Sequence, residues 1–194
     1  MFDHFFNKKS PEASGERLRS IEGSSTADLA AKLLTTPAAL MQLSHEEARV
    51  VVSYMQPRKI EMGTTFIKEG DTRNTGFMLL VLDGEVTVES IVVSRVEPIT
   101  VNVLGPGSLL GEMGLLDGEP RSASCTASTT MRCAILTREA LEQVMIDNPQ
   151  VAAKLMLAVS LRIAERLRDT ADKLKMYAQL TQAMQQEIDH LMPT

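Results

Sequence analysis

The sequence contains no tryptophan, only two tyrosines and only two cysteines among its 194 residues. So few aromatic rings argue against a stacking platform for single-stranded nucleic acid. Two cysteines are too few for a disulfide scaffold and fit a reducing compartment. Positive charge is also in deficit, since 20 lysines and arginines face 25 aspartates and glutamates, a net charge of -5. This balance argues against a protein that works by general attraction to nucleic acid or to an anionic membrane.

Long hydrophobic runs are missing as well. No apolar stretch approaches the roughly 18 residues of a membrane span, and the first ten residues, MFDHFFNKKS, lack the order of a secretory signal. The sequence therefore predicts a cytoplasmic protein that makes no use of a membrane. Its composition, 44% hydrophobic and 23% charged, is close to the globular average, so a hydrophobic core can form.

Glycine is concentrated in one part of the chain. Nine of the eleven glycines lie between Pro57 and Pro120, whereas residues 150–192 contain neither glycine nor proline. Short segments punctuated by glycine are typical of β-strands joined by tight turns, and a long stretch without helix breakers indicates a helix. We therefore predict an α+β fold: an eight-stranded β-barrel or jelly roll, preceded by N-terminal helices and followed by a long C-terminal dimerisation helix.

The same patterns divide the chain into four predicted segments. Residues 1–25 are polar and are expected to form a mobile tail, and residues 26–56 form N-terminal helices. Residues 57–136 form the β-barrel, and residues 137–192 form a short helix and a long coiled-coil helix. Three phenylalanines of the tail pack on the protein's own domain, have no function, or form a docking motif for a partner: Phe2, Phe5 and Phe6.

Two pairings of neighbouring strands are expected in the β region. Asp83-Gly84 lies between two apolar runs and is a signal for a type I′ hairpin that pairs 77–81 with 86–88. The segments 122–127 and 131–136 alternate in polarity and are expected to form the last pair. Each contains one cysteine on an apolar face, which favours buried core thiols over a redox pair.

Helix ends are signalled by residues that cap backbone N–H groups. Ser44 and Glu47 have the spacing of a capping box. Thr137 can cap a helix that ends near Asp147. Asn148-Pro149 then ends that helix and begins the last one, because proline is well suited to the first helical position.

The segment with the most candidate ligand-binding residues runs from Gly111 to Ala123 and has the sequence GEMGLLDGEPRSA. Its first glycine allows close approach of a ligand, and the next residues can form a helical turn whose free N–H groups attract an anion. The Glu112 carboxylate can accept from a sugar hydroxyl, while Arg121 and Ser122 can donate to phosphate oxygens. Two interpretations stay open: a site for one phosphate and one hydroxyl, or a Glu112–Arg121 salt bridge that closes an ordinary loop.

This segment resembles the phosphate-binding cassette of the cyclic nucleotide-binding domain family, whose pattern is roughly G-E-[LI]-[AGS]-L-x-x-x-x-P-R-[STA]-A. The match has no gap, and the resemblance extends over roughly residues 44–175. The helix that ends at Asn148-Pro149 resembles the hinge helix of the family. Met113 stands where leucine is commoner, a tolerable apolar exchange. The resemblance implies cAMP as the default ligand. A hydroxyl residue directly after the arginine is compatible with cGMP as well, so the base stays open.

The resemblance also implies roles for individual residues. Glu112 would accept the ribose 2′-OH, Arg121 would pair with the cyclic phosphate, and backbone N–H groups would complete the phosphate cradle. The positions carried over from the cassette are Leu110, Gly111, Glu112, Met113, Leu115, Arg121, Ser122 and Ala123. The base would be covered from the last helix, where the candidates are Arg166, Leu167 and Thr170.

Among members of the family, the sequence is similar to bacterial regulators of the catabolite activator type. In those regulators a helix-turn-helix DNA-binding domain follows the long helix. Here the sequence stops two residues after Met192, so we expect a sensor module without that domain and without specific binding to nucleic acid.

The last helix carries a heptad repeat, which favours a parallel homodimer held by a left-handed coiled coil. The alternative is one amphipathic helix folded back on its own barrel. The nine seam positions are Ile163, Leu167, Thr170, Leu174, Tyr177, Thr181, Met184, Ile188 and Leu191.

Two functions fit these patterns. The first is a cytoplasmic cyclic-nucleotide receptor that moves the hinge at Asn148-Pro149 and signals through its dimer helix to an effector protein. The second is a structural coiled-coil adaptor whose barrel no longer binds ligand. The presence of Glu112 and Arg121 favours the receptor. We expect no enzyme, metal or cofactor, because no metal-ligand cluster, nucleophile–base pair or pair of acids stands out.

Overall fold

The computed structural model describes residues 12–37, 39–40, 42–90 and 99–191. The chain divides into two compact units, Met1–Val159 and Ser160–Thr194. Within the described residues, no helix combines the length and the apolar character that a membrane crossing requires. The three phenylalanines for which packing or docking was predicted (Phe2, Phe5 and Phe6) lie outside these ranges.

The described residues form six helices and eight strands. The helices are α1 (Glu12–Ser20), α2 (Ser25–Leu34), α3 (His45–Val52), α4 (Glu112–Asp117), α5 (Arg138–Asp147) and α6 (Pro149–Leu191). The strands are β1 (Gln56–Ile60), β2 (Thr65–Ile67), β3 (Phe77–Asp83), β4 (Val86–Ser90), β5 (Ile99–Leu104), β6 (Leu109–Leu110), β7 (Ser124–Ala127) and β8 (Met131–Thr137).

Helix α3 begins where its capping residues predict. The Ser44 hydroxyl accepts from the N–H of Glu47, and the Glu47 carboxylate accepts from the N–H of Ser44 at 2.9 Å, so the capping box is present. Helix α1 was not predicted, because its residues lack an apolar period and lie in the polar segment 1–25. The structure supplies one contact that favours it: the Arg17 guanidinium lies 4.7 Å from the ring centroid of Tyr54.

The strands form two four-stranded antiparallel sheets and not a closed barrel. The strand order is β1-β8-β3-β6 in one sheet and β2-β7-β4-β5 in the other. Apolar side chains of both sheets meet between them and form the core of the first unit. This arrangement fits a jelly-roll-like fold, so the predicted barrel is corrected to a sandwich of two sheets.

Both predicted pairings of neighbouring strands are wrong. Strand β3 pairs with β8 and β6, and β4 pairs with β5 and β7, so the chain changes sheets at Asp83-Gly84. A type I′ turn needs a positive φ at both of its central residues. Of Asp83 and Gly84, only Gly84 has a positive φ, +90°. A Cβ on Gly84 would lie 2.8 Å from the Cβ of Met131, so close packing against β8 explains this glycine. The segments predicted as the last pair also belong to different sheets.

The two cysteines lie in the core, as expected. Cys125 and Cys133 are buried, and within the described residues neither forms a disulfide. Burial raises the pKa of the Cys133 thiol to about 11. A thiol that holds its proton so firmly is a poor nucleophile at neutral pH.

The junction between α5 and α6 is tied to the N-terminal helices. The Tyr54 hydroxyl, just beyond α3, donates to Oδ2 of Asp147 at 2.9 Å and accepts from Nδ2 of Asn148 at 3.0 Å. Lys154 near the start of α6 also forms an ion pair with Glu47 of α3. These contacts fix the first turns of α6 within the first unit.

Candidate functional site

The loop from Gly111 to Ala123 leaves the end of β6 and returns to the start of β7. Gly111 caps α4 with φ +78°, and Gly118 ends it with φ +75°. Both values lie in the left-handed region that glycine adopts without strain. The predicted helical turn is therefore present as the six residues of α4, and we call residues 111–123 the cassette loop.

Arg121 forms the centre of this loop, and only 5% of the residue is exposed. Its Nε and Nη2 donate to the carbonyl oxygen of Asn74 at 3.0 and 2.7 Å, and Nη2 also donates to that of Phe77 at 3.0 Å. Nη1 donates to the carbonyl oxygen of Gly111 at 2.8 Å. A guanidinium carries five N–H donors. Within the described residues, these contacts leave one N–H on Nη1 unused.

Two glycines of the cassette loop make room for this guanidinium. A Cβ on Gly111 would lie 2.8 Å from Nη1 of Arg121, and a Cβ on Gly114 would lie 2.9 Å from the same atom. Real Cβ atoms do not approach other heavy atoms so closely. The two glycines therefore allow the arginine to occupy this position, in addition to any role that they have toward a ligand.

The backbone of Arg121 is held by a second loop. Its N–H donates to the carbonyl oxygen of Asp71 at 3.1 Å, and its carbonyl oxygen accepts from Gly70 at 2.8 Å. The neighbouring N–H groups remain available: within the described residues, those of Gly111, Ser122 and Ala123 donate no backbone hydrogen bond. The loop thus presents N–H groups beside a fixed cation, an arrangement that attracts anions.

The other predicted site residues differ in exposure. Glu112, in the first turn of α4, is 1% exposed, and Leu110 and Leu115 are buried like it. Met113 is exposed, as is Ser122, while Ala123 is half-buried. A buried carboxylate one residue after the helix cap can accept hydrogen bonds from hydroxyl groups in a largely dry environment.

Burial shapes the electrostatics of the site. It lowers the pKa of the Arg121 guanidinium, while the nearby acidic groups of Cys125, Asp71 and Glu112 oppose that change. Arginine nevertheless keeps its proton at all physiological pH values. The loop therefore carries a permanent positive charge close to a buried carboxyl group.

The residues predicted to cover the base belong to the second unit. Arg166 and Thr170 are exposed on α6, and the Thr170 hydroxyl donates to the carbonyl oxygen of Arg166 at 2.8 Å. Their role toward a base stays a prediction.

Sequence reasoning missed three residues that build the site. Asn74 and Phe77 hold Arg121 through backbone carbonyl oxygens, and every residue type carries such an oxygen, so their identity gives no signal. The ring centroid of Phe77 also lies 4.5 Å from the Arg121 guanidinium. Arg138 donates to the carbonyl oxygen of Gly114 at 2.9 Å. Its position directly after the predicted cap Thr137 was the only available hint.

The part of the chain that contains the cassette loop is similar to known proteins. Residues 57–148 match the family model of the cyclic nucleotide-binding domain. A solved structure of a cyclic nucleotide-binding domain from Methylobacillus flagellatus is 29% identical, with a TM-score of 0.67, over 78% of this chain and 83% of that one. The Thermus thermophilus catabolite activator protein structure is 30% identical, with a TM-score of 0.61, over 75% of this chain and 63% of that one. Residues 57–148 therefore belong to the cyclic nucleotide-binding domain family.

Curated relatives are similar over part of their length. The cyclic AMP receptor protein of Thermus thermophilus is 33% identical over 123 residues, 63% of this chain and 56% of the relative. The CRP-like cAMP-activated global transcriptional regulator of Mycobacterium tuberculosis is 25% identical over 118 residues, 61% of this chain and 51% of the relative. The chain thus spans about half the length of these curated relatives.

Proposed function

We propose that this chain is a receptor for a cyclic nucleotide, cAMP or cGMP, bound at the cassette loop. The observation that carries the proposal is the fixed Arg121 guanidinium beside N–H groups that donate no backbone hydrogen bond within the described residues. A cyclic phosphate bears one negative charge, which one arginine can neutralise. The N–H groups of Gly111, Ser122 and Ala123 and the Ser122 hydroxyl supply donors for its oxygens.

The second half of the ligand would be recognised by Glu112. Its carboxylate lies at the start of α4 and is buried, so a ribose 2′-OH that donates to it forms a charge-assisted hydrogen bond away from water. The relatives named as cyclic AMP receptor and cAMP-activated regulator support cAMP. The Ser122 hydroxyl leaves cGMP as the second candidate, and Arg166 or Thr170 would cover the base of either.

The response to ligand would travel through α5. Arg138, its first residue, donates to the carbonyl oxygen of Gly114 in α4. At the other end of α5, Asp147 and the adjoining Asn148 share the Tyr54 hydroxyl. Movement of the cassette loop would therefore act on both ends of α5 and on the start of α6.

The second unit would carry the signal outward as a parallel homodimer. Large apolar side chains of the heptad seam, among them Leu174 and Ile188, are exposed on this helix. Water is a poor environment for such a stripe, and a second copy of the helix would cover it. An effector protein would then recognise the dimeric helix.

One observation favours the adaptor function instead. Most donors of Arg121 are already bound to backbone carbonyl oxygens, so this arginine has a structural role even without ligand. In the adaptor, the cassette loop would be a stable remnant and the second unit alone would bind partners.

Calorimetric titration with cAMP, cGMP and 5′-AMP separates the two functions. The receptor binds one cyclic nucleotide per chain and discriminates against 5′-AMP, which lacks the cyclic phosphate. Ser122→Ala removes one exposed donor and should weaken binding by about 0.5–1.5 kcal/mol, roughly 2- to 10-fold. Ser20→Ala, on α1, is the matched control and should leave affinity unchanged. Absence of binding by either cyclic nucleotide would favour the adaptor.

A further inference from the structure

A cavity lies between the edge strands β1 and β2, outside the cassette loop. Its volume is about 770 Å³, within the range of small-molecule sites. The residues along it come from β1, β2, β3 and β8 and the adjoining turns, and residues 111–123 are not among the described residues that line it. The lining residues include Gln56, Arg58, Phe66, Phe77, Leu79 and Ile135.

The strand register explains why the cavity contains an arginine. Arg58 pairs with Cys133, and Ile60 pairs with Met131. Directly opposite residues of an antiparallel pair project to the same face of the sheet. Cys133 and Met131 belong to the core, so Arg58 lies on the inward face as well. Yet of the β1 residues only Ile60 is buried, so the inward face opens to solvent at Arg58.

The floor of the cavity is apolar. Leu79 belongs to the core, and Phe66, Phe77 and Ile135 pack against it while remaining partly exposed. Two aromatic rings and two aliphatic side chains provide a surface on which a flat apolar molecule can replace water. Polar side chains, among them Gln56, Arg58 and Lys59, lie along the same cavity. An apolar floor together with polar groups that orient a ligand is typical of ligand sites.

The charged side chains along the cavity determine which sign of ligand charge it favours. Lys59 is paired with Glu61 at 2.9 Å. The Arg58 guanidinium, in contrast, forms no hydrogen bond or ion pair within the part of the chain that the structure describes. Its positive charge opposes the effect of burial on the Cys133 thiol, which agrees with its place on the inward face. An anion beside Arg58 would gain a charge-assisted contact.

We propose that this cavity is a second ligand site, for a small flat apolar molecule that carries one carboxylate, such as an aromatic acid. The carboxylate binds Arg58, and the ring system packs on Phe66, Phe77 and Ile135. The proposal does not depend on nucleotide binding. The two sites adjoin through Phe77, whose ring lines the cavity and also contacts Arg121, so an occupant of either site can influence the other without sharing its ligand.

Calorimetry on the full chain with 2-naphthoate, and with the uncharged 2-naphthalenemethanol as matched probe, tests this site. We expect one 2-naphthoate per chain and an affinity at least tenfold higher than that of the neutral probe. Arg58→Gln should reduce naphthoate binding to the level of the neutral probe, whereas Arg58→Lys should retain most of it. Arg132→Gln, at an exposed arginine of β8 paired with Asp83, is the control and should bind like the wild type.

Any one of the following results would overturn the proposal: no naphthoate binding at millimolar concentration, equal affinity for the two probes, or equal naphthoate affinity of Arg58→Gln and the wild type. Thermal melts of each variant verify that the fold is retained. Full competition between naphthoate and a bound cyclic nucleotide would also contradict it, because the cavity would then be part of the nucleotide site. Failure of cAMP and cGMP to bind, with naphthoate binding intact, would affect only the proposed receptor function.

Discussion

The guanidinium of Arg138 donates to the carbonyl oxygen of Gly114 at 2.9 Å and so joins the first residue of α5 to α4. The carbonyl oxygen of Gly114 also accepts from the N–H of Gly118 at 3.0 Å. This carbonyl oxygen therefore keeps one hydrogen bond when Arg138 is substituted. The resulting change in stability then reports the contact between α5 and α4 alone.

Arg138→Met should lower the free energy of unfolding by about 1–2 kcal/mol, since a hydrogen bond from a charged donor is lost while the apolar stem is largely retained. Chemical denaturation provides the measurement. Arg132→Met, which breaks an exposed ion pair with Asp83, should change stability by less than about 1 kcal/mol. Equal losses of unfolding free energy in the two variants would show that the hydrogen bond between Arg138 and Gly114 does not stabilise the fold.

Gly114→Ala should destabilise the protein although alanine is the better helix former. The new Cβ would lie 2.9 Å from Nη1 of Arg121 and 3.1 Å from the carbonyl oxygen of Thr75. Relief of this overlap must displace the guanidinium, at a cost of about 1–3 kcal/mol. Gly105→Ala is the matched control, because a Cβ there meets no atom within 4 Å. An unfolding curve for Gly114→Ala that matches the control would show that Arg121 moves freely.

The two tyrosines provide a test variant and a matched control for the α5–α6 junction. Tyr54→Phe keeps the ring beside Arg17 but removes the hydroxyl that serves Asp147 and Asn148. Because Asp147 and Asn148 each lose a hydrogen bond to this hydroxyl, we expect the free energy of unfolding to fall by about 1–3 kcal/mol. Tyr177→Phe, at an exposed position of α6, should stay within about 0.5 kcal/mol of the wild type.

Stability at alkaline pH should report the Cys133 thiol. Its pKa is raised by burial from an ordinary value of 9.0 to about 11. Between these values the unfolded chain has released this proton and the folded chain retains it. The free energy of unfolding therefore falls as pH rises from about 9 to about 11. Denaturation of the wild type and Cys133→Ala at pH 8 and pH 10.5 should show a smaller pH-dependent loss in the variant; equal losses would mean that this thiol is not shielded.

The proposed dimer can be tested by placing charge on the seam. Leu174→Lys together with Ile188→Lys would bury like charges between two helices, costing several kcal/mol. Sedimentation should then show a monomer with a folded first unit. Met176→Lys with Ala183→Lys adds the same charge off the seam and should leave the dimer intact. A seam variant that remains dimeric would place the interface elsewhere.

Local features of this fold could be predicted from the sequence, because they depend on neighbours along the chain. The capping box at Ser44 and the turn of α4 follow from residue types at short spacing. The cassette loop is equally local, so its residues were identified together with the roles that the resemblance implies.

Strand pairing could not be predicted in the same way. Asp83-Gly84 has the sequence of a hairpin, yet Gly84 is required by the approach of Met131, 47 positions further along the chain. Contacts with Asn74 and Phe77 were equally hidden, since they use backbone oxygens. The cavity at Arg58 arises only when β1 pairs with β8, so no local pattern marked it.

The place of β8 in its sheet has a consequence for the order of assembly. This strand is the last of the eight described strands in the sequence, yet it lies between β1 and β3 and pairs with both. During synthesis, β1 and β3 lack this shared partner until residues 131–137 have left the ribosome. Such long-range closure is slow. A nascent chain halted before Met131 would expose the apolar face of β3 and become a target for chaperones or proteases.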